Sequence, residues 1–81
     1  MRRSDLLLLA QAHEWARAGK ARQLRLDAGL LQRQIAAHCG VTQTAVSHWE
    51  LAERKRPAGR AALRWARLLD DLAAREERAA S

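Results

Sequence analysis

Apolar positions recur along this chain at three- and four-residue intervals, punctuated by single glycines, which is the rhythm of short amphipathic helices. Ser4 and Asp5 are good N-caps, so Leu6 to Arg17 reads as a first helix. Gly19 marks a break or a kink, leaving open two helices or one bent helix. The next stretch, Lys20 to Asp27, ends at Ala28-Gly29, with glycine where helices commonly stop. Gln32 to Cys39 reads as a short helix with Ile35, Ala36 and Cys39 on one face. Gly40-Val41 makes a turn, and Thr42 caps a helix from Gln43 to about Leu51. A basic loop, Glu53-Arg54-Lys55-Arg56-Pro57, leads to a last helix from about Ala58 to Glu77. Its predicted inner stripe is Leu63, Ala66, Leu69 and Ala73, flanked by Trp65, Leu68 and Leu72. Arg75 to Ser81 is expected to fray. Leu6 to Leu9 encircles its helix, so some of these leucines must cover the domain's own core or a second subunit.

Composition narrows this to an all-α fold, because Ala, Leu, Arg, Gln and Glu dominate while Phe and Tyr are absent. With 81 residues the chain makes one domain: an extra N-terminal helix over 4–18, a core and basic loop over 20–57, and a C-terminal helix over 58–78. A domain of this size buries roughly 60% of the surface of its unfolded chain, so it has little stability to spare. Met1-Arg2-Arg3 before Leu6–Leu9 has the look of a signal peptide, but the apolar run is short and Gln11, His13 and Glu14 interrupt it. Nothing approaches the ~20 apolar residues of a membrane span, and a cytoplasmic protein is expected.

Charge changes the picture further. The net charge is +6, and residues 1–60 carry 11 Lys and Arg against 5 Asp and Glu, whereas residues 61–81 carry 4 of each. The excess is confined to the part that would face a polyanion. Basic charge alone is common, so the spacing of residues must carry the inference.

Counting Gln32 as first, Ile35 is fourth, Ala36 fifth, Cys39 eighth, Gly40 ninth, Val41 tenth, Val46 fifteenth and Trp49 eighteenth. Two short helices crossing steeply need this pattern. The fifth residue must be small because the second helix passes over it, and the ninth must take φ > 0. The others must be apolar to seal the angle. A glycine between two helices would be weak evidence; agreement at every one of these offsets is strong.

Here the sequence resembles the helix-turn-helix family of the phage lambda repressor and Cro proteins. The resemblance covers about Arg22 to Leu69. It rests on Leu24-Arg25, Ala28-Gly29-Leu30, Gln32-Arg33-Gln34-Ile35-Ala36, Gly40-Val41-Thr42-Gln43, Val46-Ser47-His48-Trp49-Glu50 and Lys55-Arg56-Pro57. It implies a compact bundle of about five helices whose third lies in the DNA major groove, in a transcriptional regulator that binds palindromic operators as a homodimer. It also implies a largely buried ion pair between Arg25 and Glu50. The helix before Lys20 is additional to the family core, and one continuous last helix replaces two short ones. Where relatives have a polar residue and then Gly after the Glu, this chain has Leu51-Ala52. The missing Gly predicts that the helix runs on by a residue or two, and a phosphate contact at position 51 is lost.

Physical reasoning assigns roles beside the resemblance. With Val46 and Trp49 turned inward, Gln43, Thr44, Ser47 and His48 point outward and are predicted to contact bases. Gln43 suits a bidentate contact to adenine, and Thr44 a thymine methyl. Gln32, at a helix N-terminus, suits a phosphate, and the resemblance implies that it also braces Gln43. Thr42, Arg54, Lys55, Arg56 and Arg60 are predicted phosphate contacts, giving affinity and salt dependence without sequence information.

Blander roles suit the remaining conspicuous residues. His13, His38, His48 and Cys39 lack metal-ligand spacing, so no metal or other cofactor is expected. Cys39 reads as a small buried apolar residue and forms no intrachain disulfide, being the sole cysteine. Trp15, Trp49 and Trp65 read as core or half-buried packing residues. No carboxylate pair, activated nucleophile or phosphate loop suggests catalysis, and no small-molecule ligand is expected. The expected protein is therefore a Cro-like or minimal phage or bacterial repressor, too short for a separate ligand-sensing domain. The rivals are the antitoxin of a toxin–antitoxin pair and an interaction module that has lost DNA binding. The polar outward face beside a basic loop weighs against the second rival.

Overall fold

The helix-favouring composition is realised in full. The computed structural model describes residues 1–52 and 57–80. Among them run α1 (Arg3–Arg17), α2 (Lys20–Asp27), α3 (Gln32–Cys39), α4 (Gln43–Leu51) and α5 (Gly59–Ala80), with no strand. The bundle is all-α, and its middle three helices have the boundaries that periodicity and capping predict.

The first helix begins earlier than its capping residues suggested. Ser4 and Asp5 lie inside α1, whose N-cap is Arg2. Asp5 instead reaches back from the first turn, where its carboxylate accepts the Arg2 backbone N–H at 3.2 Å. An acidic group there also complements the helix dipole. Asp5 Oδ1 further pairs with Arg67 of α5 at 3.0 Å, a partner too distant in sequence for local reasoning to supply. This pair fastens the start of α1 to the middle of α5.

Gly19 settles whether the first two helices are separate. It adopts φ 79° and donates its N–H to Ala16 O at 3.1 Å, so the chain leaves α1 and starts α2 on a new axis. An L-residue with a Cβ would pay roughly 1–2 kcal/mol in this left-handed conformation.

The last helix departs from expectation at both ends and along its face. It starts at Gly59 and remains helical through Ala80, so the segment from Arg75 does not fray within the described residues. The reason lies in α2: Leu72, Arg75, Glu76 and Ala79 line a shared hollow with Leu24, Asp27 and Ala28, which gives the end of α5 something to pack on. There Glu76 sits against Asp27. The hydrogen bond to Asp27, then desolvation and the Asp27 charge, raise the Glu76 carboxyl above its ordinary range, while Lys20 pulls it down. The buried stripe of α5 is Ala62, Leu63, Trp65, Ala66, Leu69 and Leu72, with Leu68 and Ala73 only half-buried. Trp65 thus moves from the flank to the centre, because α5 packs against α1, α2 and α3 at once.

Trp65, Ile35, Leu69, Val46 and Cys39 are the largest fully buried side chains, contributed by α3, α4 and α5. Trp49 of α4 lies against Trp65, with ring centroids 5.2 Å apart and planes tilted by 34°. That separation suits favourable aromatic packing. Trp15 is half-buried and carries the Lys20 ammonium 4.5 Å from its ring centroid. Ala12, Ala16, Leu8 and Leu9 bring α1 onto this same core, whereas Met1, Leu6 and Leu7 remain largely in solvent. The Cα radius of gyration is 11.8 Å. A packed chain of this length gives about 12 Å, so α1 is folded onto the domain and not splayed from it. Among the described residues no helix is long and apolar enough to cross a membrane.

Candidate nucleic-acid interface

The spacing between Gln32 and Trp49 produces two helices joined by a tight turn. Gly40 ends α3 at φ 75°, ψ 34°, and the Val41 N–H returns to Ala36 O at 3.0 Å. A Cβ on Gly40 would meet only Arg64 Nη1, at 3.7 Å, so glycine is required by the backbone angle and not by crowding. Thr42 then opens α4, its Oγ1 accepting the Ala45 N–H at 3.2 Å. Ile35, Ala36, Cys39 and Val46 are buried, and Val41 and Trp49 are half-buried at the seam. Burial pushes the Cys39 thiol up, with partial opposition from the charge of Arg64. It is a packing residue.

With Val46 inside, the opposite side of α4 is polar. Gln43, Thr44 and His48 are exposed and Ser47 is half-buried. Gln43 and Ser47, one turn apart, edge a cleft of about 640 Å³ shared with the start of α3. Thr44 and His48 form the adjacent row. The four outward residues inferred from periodicity therefore occupy one continuous polar face.

Beneath that cleft, Arg25 and Glu50 are joined. Arg25 Nε donates to Glu50 Oε2 at 2.6 Å, and Nη2 to Oε1 at 3.2 Å. Arg25 Nη1 also donates to the Leu30 carbonyl at 3.0 Å. The two side chains are only 8% and 4% exposed, so water contributes little to holding their charges. Gln32 completes the network, donating Nε2 to Glu50 Oε1 at 3.0 Å. The paired fork geometry gives direction as well as energy. It fixes α4 to α2 directly and to α3 through Gln32, while the Leu30 carbonyl ties Arg25 to the loop before α3.

The remaining predicted contacts are distributed unevenly. Gln32 lines the cleft with Gln43, but its amide nitrogen is engaged by Glu50. Thr42 is exposed while its hydroxyl caps α4. Arg60 is exposed in the first turn of α5. The roles predicted for Arg54, Lys55 and Arg56 fall outside the described residues. Sequence reasoning passed over Arg22 and Arg33, which also line the cleft. The signal that could have found them was their spacing from Arg25 and Gln32, which places them beside the same helix ends.

One expectation fails here. The absent glycine after Glu50 does not lengthen α4. The helix stops at Leu51, and Ala52 itself takes the left-handed conformation at φ 53°, ψ 34°, donating its N–H to His48 O. The fold imposes the turn and alanine bears the strain.

A family model described as helix-turn-helix matches residues 22–75. The chain belongs to the helix-turn-helix family. No curated protein and no solved structure matches the chain. The matched helix-turn-helix region begins at Arg22 and so takes in most of α2, all of α3 and α4, and most of α5, leaving α1 outside it. The helix-turn-helix domain is associated with DNA binding, which fits the polar outer face of α4 and the basic balance of the first 60 residues.

Proposed function

We propose that this helix-turn-helix protein is a sequence-specific transcriptional regulator of the Cro-like or minimal repressor kind, acting in the cytoplasm of a bacterial cell and without catalytic activity. In this reading α4 enters the major groove, where Gln43, Thr44, Ser47 and His48 meet base edges. Thr42, Gln32, Arg60 and the basic residues Arg54, Lys55 and Arg56 meet phosphates and set register and affinity. The reading rests chiefly on one observation: the polar face of α4 is seated by a buried ion pair to α2, so its side chains are held on a rigid element. Rigid presentation is what discrimination between base pairs demands.

A two-fold homodimer on a palindrome would present two copies of α4 to half-sites about 34–36 Å apart. Selection from a random duplex library, with binding to the winner followed across a salt series, tests the proposal. An enriched palindrome with half-sites one turn apart is the expected result. Steep salt dependence without any enriched sequence would reduce the protein to a nonspecific basic binder. An absence of binding at low salt would overturn the DNA reading altogether.

A further inference from the structure

The first helix lies outside the matched helix-turn-helix region and carries apolar surface that its own domain leaves uncovered. Of the six large apolar side chains well exposed among the described residues, three are Met1, Leu6 and Leu7, with Leu6 56% and Leu7 61% exposed. The inner side of α1 is already supplied, by Ala12 and Ala16 in full and by Leu8 and Leu9 in half. On the opposite side Arg3, Leu7, Ala10, Glu14 and Arg17 are all exposed. Their spacing alternates between four and three, so they form one straight stripe of the kind along which helices pair. Leu6 flanks the stripe, and beside it an apolar hollow of about 330 Å³ reaches Pro57 and Ala58 at the start of α5.

We infer that this stripe docks a second copy of the chain, the two α1 helices lying antiparallel about a two-fold axis. The charges select the occupant. The stripe is basic at position 3 and acidic at position 14, and these two are equidistant from a midpoint between Leu8 and Leu9, as are Leu7 and Ala10. An antiparallel copy therefore sets Arg3 against Glu14 and Leu7 against Ala10, and the axis repeats both pairs. A parallel copy would instead face Arg3 with Arg3 and Glu14 with Glu14, which repel. Both groups are open to a new partner. Among the described residues Arg3 takes part in no ion pair, and Glu14 makes only a loose one, 4.0 Å from Arg17 with both side chains mostly in solvent. Leucine opposite alanine lets the helix axes close to about 8–10 Å. The same two-fold turns the Leu6 flank towards its own copy, which widens the apolar centre. The helix has 15 residues and is about 22 Å long. One such pairing buries less than about 1,200 Å², so the dimer is weak, with a Kd on the order of 100 µM. This interface would serve the homodimer of the DNA-binding reading, on which the choice of a second copy partly rests. It is measured without DNA, so the two can fail separately.

Sedimentation equilibrium of the full chain without DNA, from about a tenth to about ten times that concentration, spans the transition from monomer to dimer. Leu7→Glu should leave the chain monomeric throughout, whereas Leu26→Glu, at another exposed leucine on α2, should dimerise as the wild type does. Arg3→Glu and Glu14→Arg each set like charges across the axis twice, and each should weaken association by about tenfold. The combined variant Arg3→Glu/Glu14→Arg restores opposite charges at both contacts and should return to within about twofold of wild type. Only the antiparallel pairing gives that rescue. Thermal melts of each variant establish that it is folded. A wild-type chain that stays monomeric over the whole range would overturn the interface. So would a dimer indifferent to Leu7→Glu, or one that Leu26→Glu dissolves. Single charge variants that the combination does not rescue would overturn the antiparallel pairing. A chain that dimerises as described but binds no duplex would overturn the DNA reading alone and leave this interface standing.

Discussion

Replacing Glu50 by glutamine keeps the volume of the side chain and an oxygen acceptor, and removes only its charge. Arg25 then remains buried opposite a neutral amide, with its Nε and Nη2 facing a weaker partner and only the Leu30 carbonyl unchanged. Breaking a buried pair in this way costs about 3–5 kcal/mol, because the surviving charge is left without compensation. The isosteric change places the loss near the lower end, about 3 kcal/mol. A chain of this length has a total stability on the order of 4–12 kcal/mol, so the variant loses a large fraction of it. At roughly 4–8 °C per kcal/mol for domains of this size, the melting temperature falls by about 12–24 °C. Circular dichroism at 222 nm, followed through heating and through urea, measures the change. The double variant Arg25→Met/Glu50→Leu removes both charges and should recover most of the loss, since apolar replacement of a whole buried pair is often neutral or better. A Glu50→Gln protein within about 0.5 kcal/mol of wild type would refute the reasoning. So would a double variant as unstable as the single one.

Other expected outcomes follow from the same geometry. Gln43→Ala should weaken binding to the selected duplex by about 1–3 kcal/mol and hardly affect random DNA, as read by competition titration; equal losses on both would remove Gln43 from base readout. Ala52→Gly relieves a left-handed alanine and should raise stability by about 0.5–1 kcal/mol, the strain released exceeding the entropy given to the unfolded chain; urea midpoints decide, and a fall would mean the Ala52 methyl contributes more by packing than it costs in strain. Glu76 has its folded-state pKa raised, so its ionisation opposes folding: the penalty is absent below the ordinary carboxylate pKa of about 4.3 and is fully felt above the raised value. Glu76→Gln should therefore raise the melting temperature at about pH 7 and make no difference at about pH 3.5; a gain of equal size at both would assign it to something other than charge.

Much of the fold is legible from local rules because its central elements obey them. The α3–turn–α4 unit is written in closely spaced positions, from Ile35 and Ala36 to Trp49, and Gly40 is forced by a single backbone angle. The outward face of α4 follows from the same periodicity. What escapes local reading depends on long-range partners. Asp5 looks like a cap until Arg67, far along the chain, is known to be its partner. The end of α5 looks ready to fray until α2 is found beneath it. Ala52 carries no sign that the packing of α4 will drive it into a left-handed conformation. Likewise, Gln32 gives no sign in the sequence that its amide nitrogen is held by Glu50. The arginines of the cleft are individually unremarkable, and only the approach of three helices makes them a pair.

The contact between Trp49 and Trp65 has an optical consequence. The chain contains three tryptophans and neither tyrosine nor phenylalanine, so its aromatic ultraviolet signal comes from indoles alone. Two of them lie 5.2 Å apart at a fixed tilt, one on the helix assigned to the groove and one in the centre of the core. Transitions coupled at that range produce a paired circular-dichroism band whose size depends on their separation and angle. Any shift of α4 against α5, whether from a destabilising substitution or from docking on a duplex, would therefore alter the spectrum of the unlabelled protein.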